Sequence, residues 1–475
     1  MKFDYDLVIV GAGSAGMAAA EIAPRMGVRA ALVERGRIGG DCLWTGCVPS
    51  KTLIASARLA HRMRHAQELG LDRVEPGADT RAVMARVRRV QDEIAAGNDN
   101  AAHFESLGVS VLSGDARLVD AHSVAVNGRT VTARYILLAT GSRPSVPPIG
   151  GLHEAGFLTS ETLFALERLP ASITIIGGGP IAIEMAQAMQ RLGTAVTVLE
   201  ALPRILAREE PSLSERAQRT LEREGVTVHV GVSLRCAHTD QGRKVLVGVV
   251  DGSEHAWAAD EILVATGRAP NVESRGLDAA GVGYTKKGVT VDRRLRTSIR
   301  SIYAAGDVAG RYLFTHSAVS EAATALRNMF YPGSKAAATS VPWTTFTDPE
   351  LGHAGMTSEE ARLALSSDNV LVFHEPLADS DRARAEGEEG EMVLVTDARY
   401  RLLGAHVLAS GAGDMMGYLA DAIERGARLT PDFANAMQVY PTIAFSLTQA
   451  AGQATYRQLD RPLLRAMRRI GDLVH

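Results

Sequence analysis

The sequence predicts an α/β fold class, two wound strand–helix–strand units followed by a C-terminal domain of short strands, on three observations. An apolar strand, Tyr5 to Val10, runs into Gly11-Ala12-Gly13-Ser14-Ala15-Gly16, then a helix from Met17 onward, then a strand from Ala30 to Val33 ending at Glu34. The same order recurs with Ile173 to Ile176, Gly177-Gly178-Gly179-Pro180-Ile181-Ala182, and Val196 to Leu199 ending at Glu200. Gly11 to Glu34 and Gly177 to Glu200 both span 23 positions, a coincidence that chance seldom produces. From Pro342 the composition shifts to short strands and turns.

In each unit the first glycine permits a tight turn, and the second lets backbone approach a pyrophosphate. The third allows helix to pack on strand, a place where Ala182 is tolerated in the second copy. A terminal acid, Glu34 or Glu200, stands where a carboxylate accepts hydrogen bonds from a ribose hydroxyl. Strand, turn, helix, strand and acid together read as two Rossmann-like dinucleotide-binding domains; a lone glycine fingerprint would not.

Between the units lies Gly39-Gly40-Asp41-Cys42-Leu43-Trp44-Thr45-Gly46-Cys47-Val48-Pro49-Ser50-Lys51, with two of the chain's 3 cysteines. The apolar stretch Thr52 to Ala60 reads as helix. A thiolate at a helix N-terminus is stabilised by the dipole, so the pair suits thiol–disulfide exchange. Two unrelated buried cysteines are the bland alternative. No second Cys/His pair stands nearby at ligand spacing, so no metal site is read. Cys236 reads as a small packing residue, and the charged stretch Arg81 to Ser106 as a helix with a solvated face.

Tyr135 to Leu138 enters Ala139-Thr140-Gly141-Ser142, and Glu261 to Val264 enters Ala265-Thr266-Gly267-Arg268. Both are strands ending in Thr-Gly turns. Ser301 to Ala304 is a strand that ends in Gly306-Asp307, and Leu313-Phe314-Thr315-His316 opens a helix. At 475 residues the length suggests about three domains. Hydrophobic content of 46%, charged content of 22%, net charge -3 and pI near 6.5 describe an ordinary globular chain with no electrostatic case for nucleic acid or anionic membrane. No apolar run reaches membrane-spanning length, and Met1 to Asp6 leads straight into a strand without room for a signal peptide. So few cysteines suit a reducing cytoplasm, where a C-x₄-C disulfide would be catalytic.

The Gly-Gly-x-Cys-x₄-Cys-Val-Pro-Ser-Lys segment resembles the redox-active disulfide of the pyridine nucleotide-disulfide oxidoreductases, which include dihydrolipoamide dehydrogenase, glutathione reductase and mercuric reductase. With the paired fingerprints, the resemblance covers essentially the whole chain. It implies an FAD-binding part at 1–148, an NAD(P)-binding domain at 149–267, a second FAD-binding part at 268–340 and a dimerisation domain at 341–475. It implies FAD and NAD(P)H as cofactors, a homodimer whose partner subunit completes the site, and a small-molecule disulfide or metal-ion acceptor. Cys47 becomes the flavin-proximal thiol and Cys42 the interchange thiol, with Lys51 beside the flavin and Glu184 as its ion-pair partner. FAD contacts are implied at Gly11, Gly13, Ser14, Ala15, Gly16 and Glu34, and at Gly40, Asp41 and Gly46 of the disulfide segment. More are implied at Ala116, Thr140, Gly141 and Ser142, and at Gly306, Asp307, Phe314 and Thr315. Nicotinamide dinucleotide contacts are implied at Gly177, Gly179, Pro180, Ile181 and Glu200, and further cofactor contacts at Gly267 and Arg268. A carboxylate at Glu200 favours NADH, because it repels a 2′-phosphate, although Arg204 could offset this. His316 is expected to be structural.

One segment departs from that family. Its disulfide reductases carry a His-Pro segment with a glutamate five positions after the histidine, the acid/base for the leaving thiol. Here the segment is Tyr440-Pro441-Thr442-Ile443-Ala444-Phe445. A phenol with pKa about 10 is a poor base near neutral pH, and Phe445 carries no charge. Mercuric reductase resembles the chain more at this point, since it also has a tyrosine there. Its C-terminal cysteine pair is missing here, where the chain reads Arg468-Arg469-Ile470-Gly471-Asp472-Leu473-Val474-His475, as is the N-terminal metal-binding domain of many members. The expected activity is electron transfer from NAD(P)H through FAD and the Cys42–Cys47 pair to such an acceptor, with Tyr440 as a catalytic candidate. A dihydrolipoamide-dehydrogenase-like enzyme and a redox-sensing flavoprotein without rapid turnover are the alternatives.

Overall fold

The computed structural model describes residues 2–459 apart from Ser274. Its first sheet forms around β1 (Tyr5–Val10), where Leu7, Val8 and Ile9 are fully buried. Burial on both faces is what a parallel strand covered by helices requires. β1 pairs in parallel with β2 (Ala30–Glu34) on one side and with the long strand Arg129–Leu138 on the other. Ser110–Ser113 extends the sheet beyond β2, and Ile302–Ala304 pairs in parallel with the far half of Arg129–Leu138. The near half of that strand turns instead into an antiparallel ribbon with Ser123–Val126 and Ala116–Leu118.

Since Ile302–Ala304 joins this first sheet, the intervening chain is an insertion in it. The chain leaves and returns side by side, Ser142–Pro144 pairing antiparallel with Arg268–Pro270. Within the insertion, Thr227–His229, Ala195–Leu199, Ser172–Ile176 and Glu261–Val264 form a parallel sheet in that order. An antiparallel meander, Ser233–Asp240, Arg243–Val250 and Ser253–Ala259, stands beside it.

The equal spacing of the two fingerprints produces equal registers. Val10 lies opposite Val33 and Ile176 opposite Leu199, so each glycine turn leaves its sheet beside its terminal acid. Gly11 N–H donates to Val33 O and Gly177 N–H to Leu199 O, both at 2.8 Å. A Cβ on Gly11 would lie 2.3 Å from Ala139 O, and one on Gly177 2.6 Å from Ala265 O. Both positions have φ above +100° and admit only glycine without strain.

The first helix, α1 (Ser14–Arg25), begins three residues earlier than the sequence suggests, because Gly13 is its extended N-cap. α2 (Gly40–Trp44) and α3 (Cys47–Arg64) follow, and α3 outruns the expected Thr52–Ala60 at both ends. Pro49 sits in its first turn, where the missing N–H breaks no helical bond. The stretch read as one helix from Arg81 to Ser106 is two, Thr80–Gly97 and Ala101–Ser106. Asn100 starts the second by accepting from His103 N–H. The C-terminal part is an antiparallel sheet ordered Trp343–Thr345, Glu350–Gly355, Leu402–Ala409, Glu391–Asp397 and Val370–Pro376. The helices Ala412–Glu424 and Ser446–Leu459 share its core, with Met416, Leu419, Leu447 and Ala450 buried beside Met392 and Val407. Residues 460–475, with the C-terminal segment considered above, lie outside the described residues.

Candidate redox site

Cys42 lies in α2 and Cys47 opens α3, with Gly46 as the hinge between them. A Cβ on Gly46 would come 2.9 Å from Asp41 O, so the two helices fold back tightly on one another. A Cβ on Gly40, at φ +53°, would come 2.7 Å from Gly13 Cα. The cysteine segment therefore rests directly on the first glycine fingerprint, and Gly39 N–H donates to Ala12 O at 3.0 Å. From behind, the buried Gln91 donates to the carbonyls of Leu43 (3.0 Å) and Trp44 (2.8 Å). No local pattern signals this. Gln91 sits in a charged helix whose polar residues read as a solvated face.

Both cysteines are free thiols, Cys42 half-buried and Cys47 exposed. The Cys42 thiol donates to Cys47, which lowers the pKa of Cys47 and raises that of Cys42. Desolvation opposes the lowering at Cys47, while the Thr315 hydroxyl and the Lys51 charge add to it. The Thr315 Oγ1 lies 3.5 Å from the Cys47 sulfur. Lys51 Nζ donates to Glu184 Oε2 at 2.8 Å and lies 4.3 Å from the centroid of the Phe346 ring. The other Glu184 oxygen accepts from Phe346 N–H at 2.9 Å. One buried carboxylate thus ties α3, the Pro180–Arg191 helix and the C-terminal domain together.

The second half of the site forms where Ile302–Ala304 ends. Gly306, at φ +77°, would put a Cβ 3.3 Å from Ala15 Cβ and 3.2 Å from Ala318 Cβ. Its N–H donates to Glu321 Oε2 at 2.9 Å, a buried acceptor that sequence reasoning missed. Asp307 accepts from the Ser142 hydroxyl and lies 3.7 Å from Arg268. Burial raises its pKa, and Ser142 and Arg268 pull the other way. Arg268 also donates to Ser142 Oγ at 2.7 Å and to the Asp41 carboxylate. It therefore links the cysteine segment to the Gly-Asp turn. Arg268, expected to bind a cofactor, is engaged with groups of the first unit.

Glu34 and Glu200 are both committed to backbone. Glu34 accepts from Ala12 N–H and Gly36 N–H, each at 2.7 Å. Glu200 accepts from Gly178 N–H and, at 2.7 Å, from Leu202 N–H. Each acid clamps its own glycine turn, and a ribose hydroxyl can use only the lone pairs that remain. The N-termini of α1 and of the Pro180–Arg191 helix carry no side-chain cap. Their first N–H groups suit a pyrophosphate, and nothing lies within 4 Å of a Cβ on Gly179. This donor set fits two dinucleotides. Ala116 is buried in a small hollow shared with Thr140 and Asn271, and Thr140 Oγ1 donates to Asn271 O at 3.1 Å. Gly141 turns the chain at φ +66°, and Ile181 is exposed at the head of its helix. Phe314 caps the Thr315–Phe330 helix and stacks on Trp343 at 5.6 Å, and His316 Nε2 contacts Pro342 O at 2.7 Å.

Tyr440 is not brought to the cysteines within the chain. It is 61% exposed, its hydroxyl donates to Asp381 Oδ2 at 2.8 Å, and its ring meets Phe445 edge-on at 5.4 Å. Cys236 is also corrected: it is exposed, on an edge strand at a register shift, and packs no core. Among the described residues no His, Cys, Asp and Glu cluster could hold a metal ion, and no helix is long and apolar enough to cross a membrane.

Two dinucleotide cradles flanking a C-x₄-C thiol pair define a flavin- and nicotinamide-dependent dithiol oxidoreductase. The chain belongs to the pyridine nucleotide-disulphide oxidoreductases. That family's model matches residues 5–322, and its dimerisation domain matches 341–451. The family uses FAD and a pyridine nucleotide, and its dimerisation domain supports a homodimer. The chain is 33% identical over 455 residues to a mercuric reductase of Staphylococcus aureus, covering 94% of this chain and 82% of that one. A dihydrolipoyl dehydrogenase of Thermus scotoductus is 33% identical over 462 residues, covering 96% and 98%. In structure the chain resembles RclA, an HOCl-induced flavoprotein disulfide reductase of Escherichia coli, also solved as its Cu(II) complex. The complex superposes with a TM-score of 0.84 at 26% identity, covering 95% of this chain and 100% of that one.

Proposed function

We propose that the protein passes two electrons from NAD(P)H through FAD and the Cys42–Cys47 pair to a small acceptor, in the manner of mercuric reductase. FAD would occupy the parts at 1–148 and 268–340, the nicotinamide dinucleotide 149–267, with 341–475 forming the dimer interface. FAD held there would supply hydride acceptance from the reduced nicotinamide and electron delivery to the disulfide. The α1 N-terminus, with Gly11 and Gly13, would receive the FAD pyrophosphate, and Asp307 a ribityl hydroxyl. Gly179 and the uncapped Pro180–Arg191 helix would receive the second pyrophosphate. Lys51, held by Glu184, offers a positive charge that helps keep Cys47 ionised. Cys42, whose pKa is raised, keeps the proton and is the thiol for exchange. A reducing cytoplasm suits such a dithiol.

The observation that carries the choice of acceptor is the Tyr440–Phe445 pair in place of the family's acid/base. Reducing a disulfide consumes a proton: NAD(P)H + H⁺ + RSSR gives NAD(P)⁺ + 2 RSH. Reducing a divalent cation to the metal releases one: NAD(P)H + M²⁺ gives NAD(P)⁺ + M⁰ + H⁺. A phenol without the family's histidine–glutamate pair serves the second balance better than the first. The relationship to dihydrolipoyl dehydrogenase favours lipoamide as a second reading, and the missing dyad weighs against it.

An acceptor screen with Hg²⁺, small disulfides, lipoamide and quinones tests the proposal. Sustained NADH oxidation with a metal ion or an activated disulfide is expected. A single reduction without turnover under every acceptor would make the protein a sensor instead. Tyr440→Phe should slow reoxidation by the true acceptor and leave reduction by NADH intact. Equal reoxidation rates would reduce Tyr440 to packing.

A further inference from the structure

A phenol bonded to a neighbour either gives its proton or receives one, and that choice fixes what it can offer a substrate. Tyr440 gives. Its hydroxyl donates to Asp381 Oδ2 at 2.8 Å, and an ionised carboxylate has no proton to return. Phe445 meets the Tyr440 ring edge-on at 5.4 Å. With the proton committed, only lone pairs of the phenol oxygen face away from Asp381. The same bond raises the Tyr440 pKa, so the phenol stays neutral and keeps that proton. Asp381 lies on the short Asp381–Glu386 helix, a segment that no motif of the sequence singles out.

We propose that Asp381 is a specificity-determining residue: by accepting the Tyr440 hydrogen bond it leaves the phenol oxygen only lone pairs to offer, and so favours a thiophilic cation over a disulfide as electron acceptor. The inference rests on the mercuric-reductase-like reading and adds the residue that sets its acceptor class. A disulfide being cleaved leaves as a thiolate and needs a proton from its surroundings, which the committed phenol withholds. A cation takes an electron pair, which the oxygen offers more readily when its own hydrogen is bound to a carboxylate. The negative charge of Asp381 one bond away works in the same direction. Asp381 touches no reacting atom in this account and acts through Tyr440.

The test compares wild type, Asp381→Asn, Asp381→Leu, Tyr440→Phe and the Asp381→Leu/Tyr440→Phe double variant. Each is assayed with Hg²⁺ as its complex with a small thiol and with lipoamide. Asp381→Leu should lower kcat/KM for Hg²⁺ by about tenfold. It should leave lipoamide equal or improved, because the phenol regains a free proton. Asp381→Asn, which keeps shape and loses charge, should fall between. The double variant should match Tyr440→Phe, and flavin reduction by NADH should be unchanged throughout. Parallel losses with both acceptors, or losses that add in the double variant, would overturn the proposal. Tyrosinate absorbance, taken as wild type minus Tyr440→Phe against pH, reads the pair without turnover. Tyr440 should ionise above an ordinary phenol in wild type and return toward it in Asp381→Leu, and no difference would overturn the pairing. If wild type turned over neither acceptor, the functional reading would fall and the titration alone would decide whether Asp381 holds the Tyr440 proton.

Discussion

At the scale of single residues, Cys47 is tuned by four side chains from three separate stretches of chain. Cys42, Thr315 and Lys51 lower the Cys47 pKa, and Glu184 opposes them. Removing a donor to the thiolate should therefore raise it. Thr315→Val keeps the shape of the side chain and removes the hydroxyl, and should raise the Cys47 pKa by about one unit, the worth of one hydrogen bond to a charged group. The pH dependence of alkylation of the reduced protein measures this, with the inflection moving to higher pH. An unmoved inflection would dissociate Thr315 from the thiolate. Glu200 makes a second case. NADH should outrun NADPH in kcat/KM, and Glu200→Gln should narrow the ratio, because the charge that repels a 2′-phosphate is gone. The same change should lower thermal stability, since Gly178 and Leu202 both donate to that carboxylate. Equal use of both nucleotides by wild type would remove Glu200 from specificity. Cys42 and Cys47 were legible in the sequence because cysteines are rare in this chain and these two are clustered, and Lys51 through the family resemblance. Gln91 and Glu321 were not, because a buried polar side chain in a helix looks like an exposed one until its neighbours are known.

At the scale of elements, glycines fix how the cysteine helices meet the nucleotide turn. Gly40 has both a positive φ and a would-be Cβ 2.7 Å from the Gly13 backbone. Gly70, at φ +79°, has nothing within 4 Å. Gly70→Ala should cost only the backbone conformation, about 1–2 kcal/mol. Gly40→Ala adds a clash between two backbones and should cost roughly 3 kcal/mol or more. It should also loosen FAD, because the displaced turn is the proposed cradle of the pyrophosphate. Denaturant melts and flavin release on dilution would show it, and equal losses at the two sites would mean the helices slide apart freely. The element boundaries follow the same physics. α1 starts at Ser14 because Gly13 is extended, and the helix expected over Arg81–Ser106 breaks where Asn100 caps a new start. Periodicity indicates that a helix exists, and local caps decide where it begins.

At the scale of the whole molecule, the inserted unit and the C-terminal domain are joined by a buried ion cluster. Arg191 bonds Glu224 and Asp348, each at 2.7 Å, and Gln187 donates to Glu224 Oε1 (3.0 Å) and to Asp348 O (2.9 Å). Arg191→Met would strand two carboxylates and should cost about 3–5 kcal/mol. Burial pushes the Asp348 pKa up, yet Arg191 outweighs it and the net shift is down. A carboxylate with a depressed folded pKa adds stability above its unfolded pKa and loses it as pH falls through the folded value. Wild-type stability should therefore decline on acidification below the ordinary carboxylate range, and the Arg191→Met curve should be flatter there. Denaturant unfolding across acidic pH measures both. Parallel curves would mean that the pair contributes nothing to the junction.

What the sequence determined by itself is whatever one stretch of chain can encode. The two fingerprints, with equal distances from glycine to acid, specify two equal registers, because strand pairing follows spacing. The C-x₄-C pair ahead of an apolar helix specifies a reactive dithiol, because helix dipole and neighbouring cysteines act locally. Tertiary structure decided everything that depends on residues far apart in the chain. It put Thr315 against Cys47, Arg268 between Asp41 and Asp307, and both terminal acids on their own glycine turns. It set the Tyr440 hydroxyl to donate to Asp381, 59 positions away. Which group donates to which is set by what the fold brings within 3 Å, and no local pattern in the chain carries that distance.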